Sequence, residues 1–123
     1  MPHVLEVRAE GDVPRDVSEQ VYNAIRDHLR AHPEVDTLVW NLLDLVSYAP
    51  GVSAAGIRLV VGFVPRIRRS VVVTRSRTVA GLVNVSRVLA PTVERQVFSS
   101  LGEALSWVAQ ALPASRSRRH RAA

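Results

Sequence analysis

Two histidines four residues apart, His28 and His32, are the first candidates for chemistry in this 123-residue chain. At that spacing both side chains fall on one side of a helix, where an HxxxH pair can hold zinc. The metalloprotease form of the motif needs Glu directly after the first His, and here that residue is Leu29. Two ligands do not complete a metal centre. The alternative reading is a pair of imidazoles in a last helical turn, where a cation suits the negative helix end. Many Ser residues are present, but no GxSxG elbow activates one of them. His3, His28, His32 and His120 all lie outside the strand-to-helix loops where parallel sheets place ligands. The two Gly of "GVSAAGIR" stand at the wrong spacing for a GxGxxG or Walker loop. With no Cys, thiol catalysis, Cys-based zinc sites and redox switching fall away together. Acids are scarce after Asp44, which disfavours a catalytic carboxylate pair. These residues argue against an enzyme and imply no metal or cofactor.

Two loops remain. Ser53 is placed to cap a helix after the second strand, and Ser76 or Thr78 a helix after the third, with Arg75 and Arg77 alongside. In an open parallel sheet such loops emerge at the same strand ends, each opening a helix whose free N–H groups favour anions. One reading is an anion or phosphorylation site built from Ser53, Arg75, Ser76, Arg77 and Thr78. The other is ordinary Ser and Thr caps beside solvated Arg residues.

The elements that must position these groups follow from periodicity. Val4 to Ala9 alternates imperfectly, as a half-buried strand near a sheet edge does. "GDVPRDVSEQ" supplies turn residues, a Pro suited to a first helical turn and acids near a helix N-terminus. Val17, Val21, Ala24, Ile25 and Leu29 then recur at helical spacing, so Pro14 to about Ala31 is expected to be an amphipathic helix ended by Pro33. "TLVWNLLDL" is apolar almost throughout, which suits a strand covered on both faces. After a loop through Gly51, a second helix is expected from about Val52 to Val64, with Pro65 as its stop. "IRRSVVVTR" reads as the third strand, "SRTVAGLVNVSRVL" as the third helix and "VERQVFSS" as the fourth strand. "SLGEALSWVAQAL" opens with Ser100 and Glu103 at capping-box spacing and reads as the closing helix.

The order βαβαβαβα predicts an α/β fold with a mainly parallel sheet of four to five strands and crossover helices. One domain spans 1–112, and the basic tail 113–123, with no apolar residue larger than Ala, is expected to be flexible. The second helix is apolar nearly all round, and the third repeats this with Val79, Ala80, Leu82, Val83, Val85, Val88 and Leu89. A helix on one sheet needs only an apolar stripe, so a second surface is implied: a homodimer mate, a partner protein or an apolar ligand. The alternative is that the two helices bury each other.

Composition bounds the rest. The chain is 47% hydrophobic and 22% charged, which is ordinary for a globular domain. Residues 1–50 carry 4 Arg against 9 acids, a net of −5, and residues 51–123 carry 12 Arg against 2 acids, a net of +10. The basic half, and Arg116, Arg118, Arg119 and Arg121 of the tail, would attract nucleic acid or anionic membrane only in a nonspecific, salt-sensitive way. All 16 basic residues are Arg, a bias that GC-rich coding also produces. "MPHVLEVRAEGDV" carries charges where a signal peptide needs an apolar run, and no apolar stretch reaches the about 18 residues that span a bilayer. The expected location is the cytoplasm.

"NLLDL", then "SY", then "SAAGI" resembles the strand, loop and helix start of STAS domains, the family of anti-sigma-factor antagonists. "SLGEALSWV" resembles the closing helix of the related SpoIIAA-like, STAS/Sec14-type proteins, and the order of elements is similar from Val4 to Leu112. Ser53, Ala54, Ala55 and Gly56 fall on the family's Asp-Ser-Ser-Gly positions. The resemblance thus puts Ala54 where anti-sigma kinases phosphorylate Ser, and the longer loop "VSYAPGV" leaves Ser53 as a substitute. It implies a noncatalytic regulatory domain that meets a protein partner, such as an anti-sigma-like kinase, or a second copy of itself. Contact or groove candidates are Asp44, Tyr48, Val52, Ala54, Ile57, Leu59, Val60 and Phe63, with Arg58 as polar anchor. The Sec14-type side of the resemblance implies instead a carrier or sensor of an apolar molecule held under the second helix.

Overall fold

A computed structural model describes residues 2–63, 66–89 and 91–110, apart from the side chains of residues 53 and 85–89. Four strands, β1 (Val4–Arg8), β3 (Thr37–Asn41), β5 (Arg69–Val73) and β6 (Glu94–Phe98), form an all-parallel sheet in the order β1-β3-β5-β6. The connecting helices are α1 (Arg15–Ala31), α2 (Val52–Val61) and α3 (Arg77–Leu89), and α4 covers residues 101–110. The predicted α/β architecture with a mainly parallel sheet is present. β1 takes the expected edge position, and the interior strands β3 and β5 are buried at nearly every residue.

Registration explains the two-sided core. Leu38 and Trp40 of β3 face one side with Leu5 and Val7 of β1, and pack with Ile25 and Leu29 of α1 and Leu59 and Val60 of α2. Val39, Val71 and Val73 face the other side and pack on Ala104 and Val108 of α4. Alternate side chains of a strand point to opposite faces, so one apolar run feeds both layers. Arg69, buried on β5, meets its in-register neighbour Glu94 across the ladder at 3.6 Å.

Two short strands depart from expectation. β2 (Gly11–Val13) and β4 (Leu45–Tyr48) pair in parallel as a separate ribbon, where a turn and a loop were expected. They continue the β1/β3 pairing beyond a break. Ala9 N–H donates to the Asn41 carbonyl at 3.1 Å and Gly11 N–H to the Asp44 carbonyl at 2.8 Å across that break. Gly11 takes φ +66°, a conformation side chains oppose, which lets the chain kink and pair again. The turn-rich composition of "GDV" and "SYAPG" hid this ribbon.

Helix ends also correct the reading. Gly51, at φ +87°, is the N-cap of α2, so Ser53 stands two residues on, inside the first turn and not at the cap position. Ser76 does cap α3, accepting from the Val79 N–H at 3.3 Å. Ser100 accepts from the Glu103 N–H at 3.4 Å, the Ser half of the expected capping box. The predicted stop at Pro65 and the tail 113–123 lie outside the described residues. Leu29 has no solvent exposure. Leu29→Ala is expected to lower the unfolding free energy by about 2–5 kcal/mol, read in urea as a lower midpoint at unchanged slope.

Candidate functional site

The helices above β1, β3 and β5 do not close fully on the sheet. They leave a cavity of about 300 Å³, at the lower end of small-molecule pockets. Its floor is Val7, Trp40 and Val72, an in-register row across three strands. α1 supplies Val17, Val21 and Tyr22, α2 supplies Val52, Gly56, Ile57 and Val60, and α3 supplies Val79, Leu82 and Val83. The β2/β4 ribbon completes the lining with Val13, Leu45 and Tyr48. The residues that surround the cavity are thus mostly apolar. Val17 and Val21 are about 40% exposed, and with exposed Arg8, Glu10 and Asp12 they mark the mouth. Val60, Ser70, Val72 and Arg95 are buried and mark the inner end.

Leu59 of α2 enters the core while Val52, Ile57 and Val60 line the cavity. Of α3's apolar side chains, Val79, Leu82 and Val83 line it too, and those of Val85, Val88 and Leu89 lie outside the described ones.

Tyr22 bridges α1 and α2 at the cavity wall. The Tyr22 hydroxyl donates to the Val52 carbonyl at 2.8 Å, and a Cβ added at Gly56 would lie 2.9 Å from that same hydroxyl oxygen. Tyr22 also meets Trp40 edge to face at 6.4 Å, a favoured aromatic geometry. Burial pushes the Tyr22 phenol above its ordinary value, because the phenolate loses hydration there.

The sequence-predicted residues divide. Tyr48, Val52, Ile57 and Val60 converge on the cavity, whereas Asp44, Ala54 and Arg58 are exposed. Leu59 is buried, and Phe63 packs against the core with the Arg66 guanidinium 5.9 Å from its ring centre. Around α3, Arg75, Arg77 and Thr78 are exposed, and the Ser76 hydroxyl is engaged as the helix cap. The Ser53 side chain lies outside the described ones. His28 and His32 are exposed and stacked at 4.2 Å in the end of α1, and His32 Nδ1 lies 3.2 Å from a Glu34 carboxylate oxygen. Among the described residues no group of three His, Asp or Glu side chains is placed to hold a metal. Sequence reasoning missed Trp40, Ser70, Val72 and Arg95. Their signal was the alternation inside "TLVWN", "RSVVV" and "ERQVF", which sends them to one face.

A four-stranded parallel sheet with its crossover helices packed on it defines an α/β class of protein. Within it the chain belongs to the SpoIIAA-like family, whose model matches residues 4–109. One similar solved structure is an uncharacterized protein of the DUF3478 family, with a SpoIIAA-like fold, from Shewanella loihica PV-4. It is 17% identical, with a TM-score of 0.66, covering 85% of this chain and 82% of that one. Another is the anti-sigma factor antagonist SpoIIAA in its unphosphorylated form. It is 19% identical, with a TM-score of 0.60, covering 88% of this chain and 91% of that one. No curated protein matches the chain. No described helix is long and apolar enough to cross a membrane.

Gly56→Ala is expected to destabilise the wild type, because the new methyl must displace the Tyr22 hydroxyl. In a Tyr22→Phe background the same change should instead stabilise by up to about 1 kcal/mol, the helix-propensity gain of Ala over Gly; a denaturation double-mutant cycle reads this coupling. The raised phenol value sets a second expectation. The folded chain holds this proton to higher pH than the unfolded one, so the contribution is fully present below about pH 10 and declines as pH rises through the folded value. Tyr22→Phe should flatten that alkaline decline in a pH series of urea midpoints.

Proposed function

We propose that this domain is a noncatalytic regulatory module that senses or carries a small apolar molecule in the cavity beneath α2, working in the cytoplasm. The observation that supports it is the cavity itself, built from three helices, four strands and the β2/β4 ribbon, with an apolar floor and walls. A site of this kind binds by burial of apolar area. Occupancy would fix the position of α2, and the exposed face of that helix would report it to a partner.

A second reading, direct docking of a protein partner or a second copy on α2, draws on the exposed Ala54, Arg58 and Val61, the last 42% exposed. The SpoIIAA structure is that of an anti-sigma factor antagonist in its unphosphorylated form. Here Ala54 has no hydroxyl to accept phosphate, so control by a ligand takes the place of control by phosphorylation. An anti-sigma-type kinase is expected to leave α2 unmodified; stoichiometric phosphate removed by Ser53→Ala would restore the phosphoswitch.

The neutral fluorophore N-phenylnaphthylamine is expected to brighten on binding the purified protein. Val72→Trp, which fills the cavity floor, should weaken that binding at least tenfold while the circular dichroism spectrum is kept. No brightening, together with no apolar adduct in native mass spectrometry, would refute the ligand reading.

A further inference from the structure

Among the described residues, three polar side chains that line the cavity are buried: Ser18, Ser70 and Arg95. The Ser18 hydroxyl donates to the Arg15 carbonyl at 2.7 Å, within α1. Arg95 is engaged in an interaction of its own, so it is not a free cation. Ser70 is different. At 4% exposure its oxygen accepts from the Trp40 indole N–H at 3.1 Å, and among the described residues its own hydroxyl proton has no acceptor. A serine hydroxyl carries one donor beside its acceptor lone pairs, so the bond from Trp40 leaves the donor unspent. Val72, two residues further along β5, lines the cavity from the same face, which sets that donor at the end of the apolar floor. The mouth carries both signs of charge, with Arg8 beside Glu10 and Asp12, all exposed.

We infer that the cavity takes a neutral apolar molecule with a carbonyl oxygen at the end that enters first, and that the Ser70 hydroxyl donates to this oxygen. This rests on the ligand reading proposed above and adds the chemistry of the buried end. A buried donor without an acceptor is costly, and a ligand oxygen placed at Ser70 removes that cost. The Trp40 N–H keeps its bond throughout, because the hydroxyl accepts from the indole and donates to the ligand at once. A carboxylate would bring a charge into apolar surroundings where, among the described residues, no free cation meets it, and an ammonium group would fare no better. A plain hydrocarbon would fill the space and leave the hydroxyl unmatched.

2-Acetylnaphthalene, 2-isopropylnaphthalene and 2-naphthoate share a ring system and differ at one small group: a ketone, its hydrocarbon isostere and a carboxylate. Each is titrated against bound N-phenylnaphthylamine at neutral pH. On Ser70→Ala the ketone is expected to lose about fivefold more affinity than the hydrocarbon, the size of one net hydrogen bond. The naphthoate is expected to bind the wild-type protein roughly tenfold or more weakly than the ketone. In infrared difference spectra, the carbonyl stretch of the ketone on the wild type should lie below its position in hexane and return toward it on Ser70→Ala. Equal losses for ketone and hydrocarbon, or a band that stays low on Ser70→Ala, would overturn the role given to Ser70. Naphthoate binding as tight as that of the ketone would overturn the neutral headgroup. Either result leaves the apolar-ligand reading standing, whereas failure of the fluorophore itself to bind would sink both readings. Where Ser70→Ala does not fold, the wild-type band decides: an unshifted stretch means that no donor meets the carbonyl, and the inference fails.

Discussion

The Tyr22 hydroxyl fixes how near α1 and α2 stand, because it both donates to the Val52 carbonyl and occupies the space that a Gly56 side chain would need. Helix pairs with ordinary side chains between them stand about 8–10 Å apart, and a glycine at the crossing admits a phenol tip where a larger residue would push it away. That tip reaches a carbonyl in the first turn of α2, directly after the left-handed Gly51. The start of α2 is thus held from two sides: by backbone geometry at its entry and by a side chain from α1. Everything over the sheet between α1 and α3 takes its shape from that placement.

The space so framed is not an ordinary packing defect. It has a volume of about 300 Å³ and an open mouth, so it is a groove that solvent can enter and not a sealed void. The charged mouth lets water in, and the apolar walls give that water few partners. Val17 and Val21 fit this picture: they are α1 residues of the apolar stripe that stay about 40% exposed because they stand at the opening and not over the core.

Much of the fold was legible because it rests on patterns with one dominant cause. The uninterrupted apolar run of "TLVWN" becomes a central strand because both faces are covered, and Val17, Ile25 and Leu29 mark α1 by their spacing. The β2/β4 ribbon was not legible. Its residues are turn-prone, and its pairing depends on Gly11 turning the chain through a conformation that composition does not reveal. The site was half legible for a related reason. Tyr48, Val52, Ile57 and Val60 lie on a stretch whose excess of apolar residues announced a second surface. Ser70 and Arg95 join them only through register between strands far apart in the chain. The Ser53 cap failed because Gly51 had already supplied the backbone bend that opens the helix.

The outer border of the sheet has its own meaning. β1 is an edge strand, and its exposed positions Glu6 and Arg8 pair with each other at 3.8 Å while Arg8 also meets Glu10 at 3.9 Å. A bare strand margin is a template for a neighbour's backbone, and fixed charges there make lateral addition of another chain unfavourable. Continuous growth of the sheet from molecule to molecule is thereby discouraged on this flank.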